Sequence, residues 1–378
     1  MICEESMKAK FIIHGIDTGY PNGGMTLTMS AIAAIGGTVV TRLEGGKRGS
    51  KSFKKREEEY SRVMGVPVEI ATSDDEVRQM CEGIDVLFAL PFGNKVWPTF
   101  ESALHGLSCK KVAFLLGSAE SRRAPMFTKS KIWDARWSER PMIRDYMQSR
   151  RIVDPSKPYV VGCNVYDLKC TLSSEEVTAL KDPRNVISSA RFGSFKGSDQ
   201  VLKVLNELIK DERNHLDAWG WTPNEAGMSF LGMIKGIPEM KAMWDDTGHK
   251  VARGTYNAPQ IPDIMCKARF AIDFTRGNGD GSIFGDGGLQ YCQAEAIDWG
   301  AIPVCDSDFH RGEGWNSVML LTGRDDVESA VRILKEELET WDPEAHARKV
   351  EAGRQYIRDN LNRDRFNASM SEILEKLS

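Results

Sequence analysis

Short apolar runs alternate with amphipathic segments along most of the chain, and glycines stand at many of the joins. Lys10 to Gly15 predicts a strand, Thr26 to Ile35 a helix stopped by Gly36-Gly37, and Thr38 to Leu43 the next strand. Val66 to Ile70, Asp85 to Leu90 and Lys111 to Leu116 continue as strands, with helices over Asp74–Glu82 and Phe100–Leu107 between them. Trp133 and Trp137, four apart, are expected on one helix face. Tyr159 to Asp167 is a strand and turn, where the pattern breaks, and a second set begins near Thr171. It holds strands at Val186–Arg191, His215–Trp221, Val251–Asn257, Ala268–Thr275 and Ala301–Cys305. Its helices are Ser198–Lys210, Ile261–Lys267, Leu289–Trp299, Asp325–Glu339, Pro343–Leu361 and Arg365–Leu377. Strand and helix in alternation predict an α/β protein with parallel sheets.

The 378 residues, 41% hydrophobic, suffice for two cores. No apolar run is long enough to span a membrane, and the N-terminus lacks the regions of a signal peptide, so no membrane partner is expected. Eight cysteines without a Cys-x-x-Cys pair imply reduced thiols in a cytoplasm, and six dispersed histidines imply no structural zinc. The net charge of −4 is uneven: residues 1–165 hold 24 Lys and Arg against 19 Asp and Glu, which leaves −9 for the remainder. A basic half suits an anionic partner, although modest imbalance between domains is also ordinary.

Two stretches concentrate that basic charge. Glu44 to Arg56 carries Lys47, Arg48, Lys51, Lys54, Lys55 and Arg56 among glycines and serines, and is expected as a mobile surface loop. It is either solvated or a contact for a phosphate backbone. Lys129 to Arg151 interleaves cations with Trp133, Trp137 and Tyr146, which suits core packing or stacking on nucleic acid.

Candidate chemistry gathers in the second half. Gly287-Gly288 ahead of a helix would present free backbone N–H groups to an anion. Glu295, two turns in, is a carboxylate suited to a diol such as a ribose, unless the stretch is an ordinary helix–strand unit. Arg191 and Lys196 flank a glycine-containing loop between a strand and a helix, where two cations can face two phosphates. In the first half, Gly23-Gly24 opens a helix, and Glu120, Arg122 and Arg123 follow the Lys111–Leu116 strand. Ligands of open α/β sheets bind at that end of the strands, although a helix cap with surface arginines reads the same way.

Arg191 with Lys196-Gly197, and Glu295 with Gly300-Ala-Ile-Pro-Val304, resemble the donor site of retaining glycosyltransferases of the GT-B fold. The resemblance covers nearly the whole chain. It implies two facing Rossmann-like domains with a nucleotide-sugar cleft between them: an acceptor-side domain over 1–168, a donor domain over 169–355, and a helix over 356–378 crossing back. It implies Arg191 and Lys196 on the leaving diphosphate, Glu295 on the ribose, Tyr256 near the base, and Gly23-Gly24 approaching donor and acceptor. Most members carry an acidic residue eight positions before the ribose glutamate; Gly287 stands there, with Asp286 or Asp280 as the substitute. Leu289-Gln-Tyr-Cys-Gln-Ala-Glu295, Phe195-Lys196-Gly197, the basic loop and Arg122-Arg123 are similar, more narrowly, to the DNA α-glucosyltransferases of T-even bacteriophages. Gly117-Ser-Ala-Glu120 replaces the His-Asp-His cluster of that group.

The resemblance implies transfer of glucose from UDP-glucose to a hydroxymethylated base such as 5-hydroxymethylcytosine in double-stranded phage DNA. Glu120 would hold the acceptor hydroxyl, and Lys47, Arg48, Lys51, Lys54, Lys55, Arg56, Arg122 and Arg123 would meet DNA. The chain is expected as a cytoplasmic monomer, in the infected host cell if phage-encoded, using a UDP-sugar co-substrate and no metal or other cofactor. The alternatives are a GT-B enzyme acting on a glycan or small molecule, and a nucleotide-sugar binding protein without catalysis.

Overall fold

The computed structural model describes residues 7–13, 16, 23–42, 50–90, 97–115, 125–189, 193, 196–221, 236–275, 289–307, 310, 314–323 and 326–378. The chain divides into two units, Met1–Val165 with Leu361–Ser378, and Tyr166–Asn360. Among the described residues no helix is long and apolar enough to cross a membrane.

The first unit is built on β1 (Ala9–Ile13), β2 (Thr38–Arg42), β3 (Val68–Ala71), β4 (Val86–Ala89), β5 (Lys110–Leu115), β6 (Ala135–Ser138) and β7 (Tyr159–Val161). They form one sheet in the order β3-β2-β1-β4-β5-β6-β7, all parallel. Strands buried on both faces read as unbroken apolar runs, as Val86-Leu-Phe-Ala89 does. An aromatic row crosses the sheet. Phe11 stacks on Phe88 at 5.0 Å, Phe88 meets Phe114 at 5.1 Å, and Phe114 meets Trp137 at 5.1 Å. Trp137 ends the row against Phe366 of the last helix, Arg363–Glu375, and its indole N–H donates to Ser369 Oγ at 3.0 Å.

Two expectations fail in this unit. Trp133 and Trp137 share no helix: Trp137 lies on β6, Trp133 just before it, and both are fully buried. Arg136 between them is buried too, its guanidinium donating to the carbonyls of Thr128 and Ser130 at 3.3 Å. These three residues are core and present nothing to nucleic acid. The basic segment, expected as a loop, is helical from Lys51 onward. Lys51–Met64 is a regular helix, capped by Ser50 accepting from the Phe53 N–H and stopped by Gly65 at φ 69°. Phe53 and Met64 are buried, with Tyr60 and Val63 packed against the core. The helical stripe spans Phe53 to Met64 and is invisible in a window that ends at Arg56.

The second unit holds β8 (Asn185–Ser188), β9 (His215–Trp219), β10 (Ala252–Gly254), β11 (Phe270–Asp273), β12 (Ile302–Asp306) and β13 (Leu320–Thr322). Their order is β10-β9-β8-β11-β12-β13, again parallel throughout. The Ser198–Leu208 helix packs Val201, Leu202, Val204, Leu205 and Leu208 onto this sheet, an apolar face at helical spacing. The strand expected over Val251–Asn257 is confined to Ala252–Gly254, because Gly254 turns the chain at φ 80°. Chain order reverses between β8 and β11, and open α/β sheets bind ligands beside such a switch point, at the strands' carboxyl ends.

Candidate active site

The switch point is where the second unit gathers its polar side chains. Beyond β8, the Lys196 N–H donates to the Gly193 carbonyl at 3.0 Å, and the Gly193 N–H donates to Ser198 Oγ at 3.0 Å. Gly197 follows in the left-handed region at φ 63° and caps the Ser198–Leu208 helix. That turn aims Lys196 at the end of β11, where its ammonium donates to Thr275 Oγ1 at 3.2 Å and to Gln290 Oε1. Tyr256 reaches the same edge of the sheet, its hydroxyl donating to the Ser189 carbonyl at 2.9 Å.

Beneath Lys196 lies Asp273, the last residue of β11 and 5% exposed. It accepts from the Thr275 N–H at 3.0 Å, the Thr275 hydroxyl, the Cys292 thiol at 3.2 Å and Gln293 Nε2 at 3.0 Å. Burial works to raise its pKa, but the Lys196 charge and the bonds from Thr275 and Cys292 prevail and hold it below the usual carboxylate value. Burial and the Asp273 charge push the Cys292 thiol well above its ordinary value, and Cys305 follows for the same reasons. Lys196 therefore stands over an ionised Asp273, with the Cys292 and Cys305 thiols protonated.

The helix that carries Glu295 runs Tyr291–Asp298, with Gln290 as its N-cap, and does not begin at Leu289. Gln290 and Gln293 form a capping box, in which the Gln290 N–H donates to Gln293 Oε1 at 3.0 Å. The box satisfies the Gln290 and Gln293 N–H groups at a helix start that falls at Tyr291, whereas the Gly287-Gly288 pair lies outside the described residues. Glu295 sits in the second turn, 4% exposed. Gly300 ends the helix at φ 79°, as its sequence position implies.

Of the expected site residues, the structure brings together Lys196 and the helix bearing Glu295, and sets Tyr256 on the same edge. Gly23 and Gly24 open the Gly23–Ile35 helix in the first unit. Lys51, Lys54, Lys55 and Arg56 are exposed on the Lys51–Met64 helix. Arg191, Glu120, Asp280, Asp286, Gly287, Gly288, Lys47, Arg48, Arg122 and Arg123 lie outside the described residues. Asp273, Thr275, Gln290 and Gln293 join this cluster without a local motif in the sequence. Asp273 does leave a trace there, as the lone charge closing the apolar run Phe270-Ala-Ile-Asp273.

No protein-family profile matches the chain, and no curated protein matches it. Solved structures do. Anabaena HepE in complex with UDP and glucose aligns with a TM-score of 0.68 at 14% identity, covering 98% of this chain and 99% of that one. The α-glucosyltransferase of phage T4, in complex with UDP and a 13-mer DNA containing a HMU base, aligns at 0.66 and 12% identity over 98% and 100%. A glycosyltransferase from Rickettsia africae aligns at 0.66 and 9% identity over 99% of each chain. This likeness, spanning almost every residue, shows that the two parallel sheets are the two Rossmann-like halves of a GT-B fold.

Proposed function

We propose that the chain is a retaining glycosyltransferase that moves a sugar, glucose from UDP-glucose, onto a hydroxymethylated base of double-stranded DNA. The observation that carries the donor half is the Lys196 ammonium, pinned by Thr275 and Gln290 at the switch point of the second sheet. An anionic nucleotide finds a fixed cation there, at the end of the sheet where such folds bind ligands. Lys196 and Arg191 neutralise the diphosphate as the bond to the anomeric carbon breaks and charge collects on the leaving oxygen. Glu295 holds the ribose, Tyr256 lies beside the base, and Asp286, Gly287 and Gly288 line the donor. The acceptor hydroxyl, held by Glu120, attacks from the face that the phosphate leaves, and its proton passes to that phosphate oxygen. Two cations do this work without a metal ion.

The acceptor half rests on charge. Residues 1–165 carry the basic excess, and Lys51, Lys54, Lys55 and Arg56 stand exposed on one helix. A base must leave the duplex stack to reach a donor pocket, so the protein would grip backbone phosphates while the base turns out. Acceptance of a glycan or small molecule is the second reading, favoured by the burial of Trp133, Trp137 and Arg136, which removes part of the expected DNA surface.

The deciding experiment offers UDP-sugars with DNA containing 5-hydroxymethylcytosine, 5-hydroxymethyluracil or plain bases, and reads the nucleosides by mass spectrometry. A glucosylated hydroxymethyl base, with DNA binding that weakens steeply with salt and flattens when Lys51, Lys54, Lys55 and Arg56 are neutralised together, supports the full reading. UDP release only with a saccharide acceptor moves the assignment to the second reading. No UDP-sugar turnover with any acceptor refutes both.

A further inference from the structure

We propose that Asp273 is a positioning residue for sugar transfer, setting the direction of the Lys196 ammonium through the Thr275 hydroxyl and the Gln290–Gln293 pair. The inference rests on the donor-site reading of Lys196 and adds the group that aims it.

Two chains of hydrogen bonds leave one buried carboxylate and converge on one ammonium. In the first, the Thr275 hydroxyl donates its single proton to Asp273 Oδ1, so its lone pairs are what remain for Lys196 Nζ, 3.2 Å away. In the second, Gln293 Nε2 donates to Asp273 Oδ2 at 3.0 Å while its Oε1 accepts the Gln290 N–H at 3.0 Å. That amide is thereby fixed in one orientation and holds the Gln290 backbone, while the Gln290 side chain, which accepts the Gln293 N–H in the capping box, accepts from Lys196 through Oε1. Two acceptors define the direction of an ammonium that would otherwise swing on four rotatable bonds.

The alternatives for Asp273 are weaker. Its partners fill the carboxylate, and it lies buried below Lys196, which leaves no face toward a substrate. Among the described residues, the charged and titratable groups around it are Lys196 from the loop after β8, Cys292 and Glu295 from the Tyr291–Asp298 helix, and Cys305 and Asp306 from β12. His310 joins through Gln293 Nε2 at 3.2 Å. The thiols stay protonated, which leaves Asp273 as the acceptor that both relays need.

Asp273→Asn keeps the shape but turns one oxygen into a donor facing either the Thr275 hydroxyl or Gln293 Nε2, both of which already donate. We expect kcat for UDP-glucose turnover to fall roughly 10–100-fold, with KM for the donor within about 3-fold of wild type, as expected when a contact acts in the transition state. In a Lys196→Met background the same substitution should cost less than about 2-fold more, because residues that act as one unit are not additive. Thr275→Val should reproduce much of the loss and Thr275→Ser restore it, and this pair decides the matter if the Asn variant does not fold. Equal losses in the two backgrounds, or wild-type kcat in Thr275→Val, would refute the positioning role while wild-type turnover leaves the donor-site reading intact. Absence of both UDP binding and turnover in the wild-type chain removes the two together.

Discussion

Gly197→Ala is the sharpest probe of the donor loop, because the structure separates two costs that usually arrive together. Gly197 has φ 63°, and a Cβ there would lie 2.3 Å from the Phe274 carbonyl oxygen and 2.8 Å from Phe274 Cβ. Gly254, in the same unit, has φ 80° but nothing within 4 Å of the added carbon. Alanine at either site pays the left-handed strain of about 1–2 kcal/mol. Only at Gly197 does it also push on backbone, and overpacking of that kind adds about 1–3 kcal/mol. Gly197→Ala should therefore destabilise by about 2–5 kcal/mol and Gly254→Ala by about 1–2 kcal/mol. The two units of the chain need not unfold together, so hydrogen exchange of the Ser198–Leu208 amides is a better measure than a global melt. The push falls on the residue between Asp273 and Thr275, so the Lys196 contacts should loosen as well. We expect UDP binding by calorimetry to weaken roughly 10-fold or more in Gly197→Ala, as for loss of a charged hydrogen bond. Equal destabilisation by the two substitutions, or full UDP affinity in Gly197→Ala, would refute the claim that close approach to β11 fixes this loop.

His346 is buried, its Nε2–H donating to the Gly300 carbonyl at 2.9 Å, and burial pushes its pKa from 6.5 down to about 4. The unfolded chain takes up that proton first, so stability should fall by about 3 kcal/mol as pH drops from 6.5 to 4, and His346→Gln should flatten the loss in urea titrations across that range; the same acid loss in the variant would show that another group is responsible. Phe53→Ala should cost the first unit about 3–5 kcal/mol in denaturant unfolding, whereas Lys54→Ala on the exposed face should stay within about 0.5 kcal/mol. Equal effects there would return the segment to a solvated loop.

What the sequence shows depends on how far apart the cooperating residues lie. Strands such as Val86–Ala89 announce themselves because burial on both faces leaves only apolar side chains. Gly36 and Gly300 mark helix ends because the left-handed region favours glycine, and both occupy it. Lys196 was legible because a strand, a glycine turn and a helix surround it within a few residues. Asp273 was not, because its meaning comes from Gln293, 20 residues on, and from Lys196, whose own partner Gln290 is 94 residues away. Spacing misled at Trp133 and Trp137, where a four-residue interval fits a helix, yet the peptide between them enters β6. It misled again at Lys51–Met64, where charge at the start of the helix hides an apolar face that becomes periodic only with Tyr60 and Met64.

The Tyr291–Asp298 helix has eight residues, too few to be stable alone in water. Its order must come from what holds its ends. At the first turn stand the Gln290–Gln293 box and, through Gln293, the Asp273 carboxylate. At the other end, Arg354 Nη2 donates to the Asp298 carbonyl at 2.6 Å, Lys181 Nζ to the Trp299 carbonyl at 2.6 Å and His346 Nε2 to the Gly300 carbonyl at 2.9 Å. Donors there complement the negative end of the helix dipole. Burial draws the Lys181 pKa down to about 7, and the Met265 carbonyl at 2.8 Å shares its protons. The Asp298 carboxylate in turn accepts the Tyr166 hydroxyl and the Lys169 and Cys170 N–H groups, which ties the start of the unit to the same helix end. A helix clamped at both ends cannot fray, and Glu295, midway between the clamps, has its backbone fixed against the strand that ends in Asp273. Lys196 and Glu295 are therefore referred to one frame, so a donor that engages both meets a geometry set before it binds.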